Sequence, residues 1–224
     1  MQRLLQTIIY RELLYHVSFK WTHTKYINYL IRQLDETGVN VHLNTEATTD
    51  MMRQFGYEAV IIAVGAMPVK PEIKGIDLPH DIGKNVVIIG GGDIGVDCGM
   101  GLASKGHNVF VIEKLPMLAS GSAVMHYYSH IVKAWSSIPS FKYAVNADVI
   151  EITPDSVKYK DSDGNEFAAD ADTVLYAVGL TPKTIEAVDL FNPCEYEGFL
   201  VGDCEHPSNI QEINRMAYGT ASRL

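Results

Sequence analysis

The ten residues VVIIGGGDIG, Val86–Gly95, constrain the fold of this chain more than any other stretch. A short apolar run ends on three consecutive glycines, and a fourth glycine follows three residues later. A helical pattern then continues to about Lys105, and a second apolar run covers Asn108–Lys114. A strand, a glycine turn, a helix and a strand within about 30 residues predict a parallel βαβ unit.

The spacing of these glycines fits the phosphates of a dinucleotide. The first turn of a helix has unpaired N–H groups and the positive end of the helix dipole, and both favour a pyrophosphate. We expect Gly90 to make the tight turn, Gly92 to let the phosphates reach the backbone, and Gly95 to let the helix pack closely on the strand. The candidate dinucleotide site also includes the neighbours Gly91, Asp93 and Ile94.

Glu113 ends the second apolar run and bears on which dinucleotide binds. A carboxylate at this place hydrogen-bonds both ribose hydroxyls of an adenosine and repels a 2′-phosphate, so NAD(H) is favoured over NADP(H). Lys114 follows directly and has two interpretations. It is either a solvated surface lysine or a phosphate contact that weakens the preference for NAD(H).

The bulk composition excludes several classes of function. The 224 residues carry a formal net charge of -9, which argues against a nucleic-acid partner or an anionic membrane. No apolar run approaches the roughly 20 residues of a membrane-spanning helix. The N-terminal pattern is broken by Arg3, Arg11 and Glu12, unlike the apolar core of a signal peptide.

The cysteines and histidines predict neither a metal site nor a redox pair. Three cysteines form no CxxC motif and no metal-ligand spacing, so we expect reduced thiols in a cytoplasmic protein; they are Cys98, Cys194 and Cys204. His126 and His130 are four residues apart, but no motif supplies a third ligand. No GxSxG motif indicates a hydrolase.

Before the glycine turn, the sequence predicts a helical segment and two strands. Residues 1 to about 37 have apolar side chains at helical spacing, and Gly38 fits the end of a helix. The alternation in Val39–Asn44 predicts one strand, and the apolar run Tyr57–Gly65 predicts a buried strand. The proline-rich residues 66–80 predict an extended connector.

After the βαβ unit, the pattern becomes that of short antiparallel strands. A weak helical stretch at about 122–136 precedes the alternating runs DVIEIT, SVKYKD and NEFAA, which turn signals separate. The run DTVLYAVG (Asp172–Gly179) then repeats the pattern of EAVIIAVG, which indicates two related domains. The final residues, 198–224, predict a strand, a Gly-Asp turn and a helix.

Four stretches occur in an order that resembles a known family: YEAVIIAVGAMPVKPEIKGID, NVVIIGGGDIGVDCGMGLASKGHNVFVIEKLP, DTVLYAVGLTP and FLVGDCEHPSNIQEINRMAYGTA. They resemble the pyridine-nucleotide:disulfide-oxidoreductase-like half of the flavoenzymes related to 2,4-dienoyl-CoA reductase and 2-enoate reductase. The resemblance covers about residues 35–224. It implies two nested dinucleotide-binding domains, of which the outer one holds FAD and the inserted one NAD(P)H.

The resemblance also implies partners and site residues. In full-length members this half follows a (β/α)8 barrel with FMN, an iron–sulfur cluster and the substrate site. Electrons pass from the nicotinamide to FAD, the cluster and FMN, and then to an unsaturated acyl substrate. Gly179, with its neighbour Val178, matches the glycine after the last strand of the inserted domain. Asp203, with Gly202, matches the aspartate that contacts the FAD ribityl chain.

The sequence departs from the family where FAD should bind. FAD needs its own strand and GxGxxG turn, but the chain has one such motif and no glycine before Gly38. The barrel and the clustered cysteines of an iron–sulfur site are also missing. We therefore expect no FAD cradle in this chain. We expect a piece of a longer protein or a subunit completed by a flavin and iron–sulfur barrel.

The expected fold is α/β: a three-layer Rossmann-type NAD(P)-binding domain with an antiparallel meander, inserted in an incomplete FAD/NAD(P)-binding domain. The expected boundaries are 1–81 for a helical segment and FAD-domain remnant, 82–183 for the NAD(P)H domain, and 184–224 for a second FAD-domain remnant. Uncovered apolar faces are expected near Val39–Leu43 and Ala59–Val64. The aromatic-rich N-terminal segment covers them, or a second copy does in a homodimer.

The expected function is that of an NAD(P)H-binding module of a flavin-dependent oxidoreductase. It presents NADH to a flavin, in the full-length family for reduction of enoyl or dienoyl substrates, and the isolated chain is not expected to complete that reaction. No catalytic side chain is expected, because the cofactors carry hydride transfer and the protein supplies orientation. The alternative is a non-catalytic dinucleotide-binding or docking module of a larger complex.

Overall fold

The computed structural model describes residues 21–69, 82–122, 128–191 and 197–224. The α-helices are α1 (Trp21–Glu36), α2 (Thr49–Phe55), α3 (Asp93–Ser104), α4 (Tyr128–Ser136), α5 (Thr184–Phe191) and α6 (Ile210–Ala221). The strands are β1 (Ala59–Ile62), β2 (Ala66–Pro68), β3 (Asn85–Ile89), β4 (Asn108–Ile112), β5 (Phe141–Ala144), β6 (Asp148–Ile152), β7 (Ser156–Lys160), β8 (Glu166–Asp170), β9 (Thr173–Tyr176), β10 (Leu180–Pro182) and β11 (Glu197–Leu200).

The chain forms two compact units, and each is built from two segments. The first unit takes in the described residues of Met1–Val39 and Lys70–Val178. The second unit takes in those of Asn40–Val69 and Gly179–Leu224. The long segment of the first unit therefore lies, in sequence, between the two halves of the second. For residues 70–178 this is the order expected when one domain is inserted in another, whereas the described part of residues 1–39, expected in the outer domain, groups with the first unit. The predicted domain boundaries stay a prediction.

The first unit has a parallel sheet with strand order β5-β4-β3-β9. Successive residues of β3 belong to different clusters, because side chains alternate between the faces of a strand. Val86 and Ile88 pack with apolar residues of α3 and α4. Val87 and Ile89 pack with apolar residues of β6, β7 and β9. The sheet is thus covered on both faces, as parallel sheets generally are.

The third layer of the first unit is the antiparallel meander β6-β7-β8. Its buried residues Ile152 and Val157 complete the cluster on one face of the parallel sheet. Helices, parallel sheet and meander make the three layers that the sequence predicted. The α/β fold class is therefore confirmed, and so are the helix after the glycine turn and the strands on either side of it.

Two sequence predictions about smaller elements were wrong or incomplete. Val39–Asn44 forms no strand. Among the described residues no strand lies beside it, and without a hydrogen-bonding neighbour an alternating pattern does not make a strand. Residues 66–68 are not only a connector, because β2 pairs antiparallel with β10. The strand β5 was not predicted.

The second unit has two small sheets. β1 pairs in parallel with β11, and β2 pairs antiparallel with β10. Its buried cluster consists of Ile62, Ala187 and Cys204, with partly buried neighbours around them. The helix α6 was predicted, and it begins after Asn209, whose side chain caps Glu212 N–H.

The helical prediction for residues 1–37 is confirmed for α1, and residues 1–20 lie outside the described ranges. The apolar stripe of α1 is exposed: Ile27 is 39% accessible, and Leu30, Ile31 and Leu34 are more accessible still. The described part of the chain contains no helix that is both long and apolar enough to cross a membrane.

Candidate functional site

The glycine turn after β3 has the tight geometry that its sequence predicted. Gly90 has φ +102°, a conformation that L-residues with a side chain rarely adopt. A Cβ at this position would also collide with the carbonyl oxygen of Ala177. Gly90 therefore lets β3 turn sharply against the end of β9.

Gly95 has no room for a side chain either. A Cβ on Gly95 would overlap the carbonyl oxygen of Gly90, one turn back along the chain. The start of α3 is therefore in close contact with the end of β3. This places the N-terminal turn of the helix directly above the carboxyl end of the parallel sheet, where ligands of open α/β sheets bind.

Gly92 differs from the other glycines of the turn, because it faces open space. It is the N-cap residue of α3, and no side chain caps the helix there. No atom lies within 4 Å of a Cβ built on Gly92, and its φ of −64° suits any residue. No protein atom would obstruct a side chain at this position. What it would occupy is the space in front of the helix N-terminus.

Glu113 follows β4 directly and is buried, with 8% of its surface exposed. Its Oε2 accepts the N–H of Gly91 at 2.5 Å, and its Oε1 accepts the N–H of Leu115 at 2.7 Å. The sequence predicted the position of Glu113 beside the turn. It did not predict these two backbone hydrogen bonds.

Lys114 points away from this carboxylate as a surface residue. Its side chain is 79% exposed, and its Nζ lies 3.5 Å from Oδ1 of Asp148. An exposed pair of this kind contributes little to stability. The exposure of Lys114 fits a solvated lysine, and its contact with a phosphate stays a prediction.

Three further candidates border the turn to different degrees. Asp93 is exposed in the first turn of α3, and Ile94 beside it is half-buried. Val178 is 38% exposed, and its backbone nitrogen would lie 3.2 Å from a Cβ on Gly90. The first unit therefore brings together the glycine turn, Glu113 and Val178.

The remaining candidates belong to the second unit. Gly179 has φ +117°, and its carbonyl accepts the N–H of Val69 at 3.0 Å. Gly202 and Asp203 lie in a short 3₁₀ turn after β11. Oδ1 of Asp203 accepts the N–H of Ser208 at 3.1 Å. This carboxylate thus holds the loop before α6.

The thiols of the described residues are structural. Cys204 is fully buried and its Sγ donates to the carbonyl oxygen of Ile62. Burial raises the pKa of the Cys98 thiol to about 12, and the negative charge of Asp97 adds to the shift. The Cys98 thiol is therefore not a ready nucleophile, since the thiolate is the reactive form. Cys194 and His126 lie outside the described residues.

No set of three His, Cys, Asp or Glu side chains in the described ranges could hold a metal ion.

Comparison with known proteins identifies a family profile that fits most of the chain. The profile of the family "Pyridine nucleotide-disulphide oxidoreductase" matches residues 22–213. This range includes the glycine turn, the meander and most of the second unit.

Curated relatives are reductases of different substrates. The chain is 23% identical over 205 residues to cinnamate reductase of Clostridium sporogenes, an alignment that covers 85% of this chain and 30% of that protein. It is 29% identical over 205 residues to bilirubin reductase of Mediterraneibacter gnavus, with 84% and 30% covered. The chain thus spans about a third of the length of these relatives.

A solved structure of 2-naphthoyl-CoA reductase in complex with 2-naphthoyl-CoA has a similar fold. Its TM-score with this chain is 0.83 at 23% identity, over 92% of this chain and 33% of that one. At this identity the likeness shows the fold alone.

Proposed function

The chain belongs to the pyridine nucleotide-disulphide oxidoreductase family, as its sequence predicted, and from that premise we propose that its first unit binds NADH and presents the nicotinamide to a flavin. The family binds FAD and NAD(P)H, and the chain is an oxidoreductase module. One observation supports the proposal that the first unit binds NADH. The N-terminus of α3 is uncapped and open at Gly92, and the carboxylate of Glu113 is fixed beside it.

The pyrophosphate of the dinucleotide is assigned to the first turn of α3. The first N–H groups of a helix lack partners within the helix, and the dipole makes this end positive. A diphosphate can accept these hydrogen bonds only if no side chain stands before them. Gly92 meets that condition, since no atom lies within 4 Å of a Cβ built on it.

The adenosine ribose is assigned to Glu113. Each carboxylate oxygen can accept more than one hydrogen bond, so the bonds to Gly91 and Leu115 leave capacity for the two ribose hydroxyls. A 2′-phosphate would bring a second negative charge to a buried carboxylate. We therefore propose that NADH is preferred over NADPH.

The electron acceptor of the whole protein is proposed from the relatives' names. Two relatives are called reductases of cinnamate and of bilirubin, and this chain spans about a third of their length. We propose that the module supplies electrons, through a flavin and a barrel partner, for reduction of enoyl or dienoyl substrates. When bound, the nicotinamide supplies the hydride, and the role of this chain is to orient it.

Titration with NADH by calorimetry tests the proposal. We expect Gly92→Val to weaken NADH binding by about 100-fold or more, about 2.7 kcal/mol, because the side chain fills the space of the pyrophosphate. The fold should be retained, because nothing in the ligand-free chain opposes the new side chain. Gly219→Val is the matched control, because a Cβ on Gly219 also meets no atom within 4 Å.

Unchanged affinity in a folded Gly92→Val protein would rule out this site for the pyrophosphate. Absorbance in the presence of excess FAD separates the two functional classes. Faster bleaching of the added flavin by NADH with the chain than without it fits an electron-input module, and bound NADH without faster bleaching fits a docking module.

A further inference from the structure

We propose that Glu113 is a positioning residue of the glycine turn as well as the ribose ligand, so that its substitution also weakens the binding of a nucleotide that has no ribose hydroxyls for the carboxylate to bind. The inference rests on the proposed function, since it concerns the same site. It assigns Glu113 a role that does not pass through the ribose hydroxyls.

The backbone hydrogen bonds at the end of the sheet lead to this carboxylate. Gly90 N–H donates to the carbonyl oxygen of Ile112 at 2.9 Å, which extends the ladder between β3 and β4. The next N–H, that of Gly91, has no strand carbonyl as its acceptor and donates to Oε2 of Glu113. At the residue where the backbone turns, the side chain of Glu113 therefore supplies the acceptor that a strand carbonyl supplies elsewhere in the ladder.

The second carboxylate oxygen of Glu113 also accepts a backbone hydrogen bond. Oε1 accepts the N–H of Leu115 at 2.7 Å, so the carboxylate bridges the turn after β3 and the loop after β4. The carbonyl of Gly91 is fixed too, because it accepts the N–H of Ala119 at 2.7 Å. The N–H and the carbonyl of Gly91 are thereby both fixed, and together they set the orientation of Gly92.

Gly91 is packed closely against Glu113 and Leu118. A Cβ on Gly91 would lie 2.9 Å from Cβ of Glu113 and would collide with the side chain of Leu118. Gly91 is buried, so without the carboxylate its N–H would have no water to replace the lost acceptor. The turn must then shift, and the pyrophosphate site with it.

Glutamine is the sharpest substitution for this test, because it keeps the size of Glu113. Its single oxygen can accept from one of the two N–H groups, while its NH₂ group faces the other as a second donor. One of the two anchoring bonds is therefore lost in Glu113→Gln. Glu166→Gln makes the same chemical change at an exposed position of β8 and serves as the matched control.

The experiment combines this substitution with a change in the ligand. The dissociation constants of two ligands are measured: NADH, and its dideoxy analogue without the 2′- and 3′-hydroxyls of the adenosine ribose. Each is measured for the unmodified protein, Glu113→Gln and Glu166→Gln. If Glu113 positions the turn, Glu113→Gln should weaken both ligands, by about tenfold or more for the dideoxy analogue. If Glu113 acts only through the ribose hydroxyls, its substitution should leave the affinity for the dideoxy analogue unchanged, and the inference is overturned.

A measurement on the unmodified, ligand-free chain covers the case in which Glu113→Gln does not fold. Amide hydrogen exchange of Gly91 should be strongly slowed, because its N–H is buried and bonded to the carboxylate. Exchange at the rate of an unstructured peptide would overturn the inference. If the unmodified protein binds neither nucleotide, the proposed function fails, and fast exchange of Gly91 would still separately overturn the role of Glu113 in the turn.

Discussion

The two units of the chain differ in how completely they bury their apolar residues. In the first unit, the parallel sheet lies between two buried clusters, and Val87 and Val111 have no exposed surface. Among the described residues of the second unit, the buried cluster has three members, and several apolar side chains are exposed: Val41, Leu43, Ile61, Ile185 and Tyr218.

The difference follows from the number of strands in each sheet. Four parallel strands, two helices and a meander enclose both faces of the first sheet. The second unit has two-stranded sheets, which cannot cover both faces of a parallel pair. A site that needs fixed backbone geometry is therefore expected on the first unit. The second unit is expected to need additional polypeptide before it holds a cofactor.

The largest effect expected from this comparison is on the retention of FAD. The chain has one GxGxxG motif, and it lies in the first unit. In the second unit Asp203 is expected to make one hydrogen bond to a ribityl hydroxyl, about 1–2 kcal/mol net, while micromolar retention needs about 8 kcal/mol. We expect the 224-residue chain to lose added FAD on gel filtration. Flavin absorbance against protein mass measures this.

A one-to-one yellow complex that oxidises NADH with an enoyl-CoA would contradict this expectation. It would mean that the second unit builds a complete cradle by itself. The control is NADH, which the first unit is expected to bind under the same conditions. Loss of both cofactors would point to a general defect of folding and not to a difference between the units.

The next largest effect is on stability, and two isoleucines in strands make a matched pair. Ile88 of β3 is 1% exposed, whereas Ile61 of β1 is 43% exposed. Ile88→Ala should cost about 2–5 kcal/mol, because it leaves a cavity in a closed core. Ile61→Ala should cost less than about 1 kcal/mol. Thermal or urea unfolding of both variants checks the difference.

Equal destabilisation by the two substitutions would show that β1 is covered in solution. The oligomeric state then identifies what covers it. A dimer that Ile61→Ala dissociates would support the homodimer, one of the two coverings expected from the sequence, and a monomer would favour the N-terminal segment.

A smaller effect is expected in the choice of nucleotide. NADH should bind about thirtyfold more tightly than NADPH, about 2 kcal/mol, because Glu113 repels the 2′-phosphate and loses its ribose hydrogen bonds. Both dissociation constants are measured at one salt concentration. Lys114→Ala should change the ratio little, because the lysine is 79% exposed and faces Asp148. A preference for NADPH would mean that a cationic side chain binds the 2′-phosphate. Glu113 would then not determine which nucleotide binds.

The sequence predicted the first unit well, because its signals are local and unambiguous. The glycines, the buried strand β3 and the alternating meander each have a spacing that few other structures share. The turn geometry of Gly90 and the close packing at Gly95 were both expected from that spacing.

The errors fall where structure depends on distant neighbours. Val39–Asn44 has the alternation of a strand but no strand to pair with among the described residues. β2 was missed because its partner β10 is more than a hundred residues away in sequence. The bond from Gly91 to Glu113 was missed for a similar reason. A motif places both residues near a ligand, but only the folded sheet shows that they contact each other.

The smallest expected effect tests whether the core of the first unit is closed to water. Burial, aided by the charge of Asp97, raises the pKa of Cys98 from 9.0 to about 12. Below pH 9 the thiol is protonated in both the folded and the unfolded states, so its contribution to stability is fully present. As the pH rises from 9 towards 12, the unfolded chain loses this proton while the folded chain keeps it, and the contribution is lost. At pH 10 the loss should be about 1.4 kcal/mol relative to pH 8. Urea unfolding of Cys98→Ala should show a decline smaller by this amount, and equal declines would mean that water reaches the thiol through the helix layer.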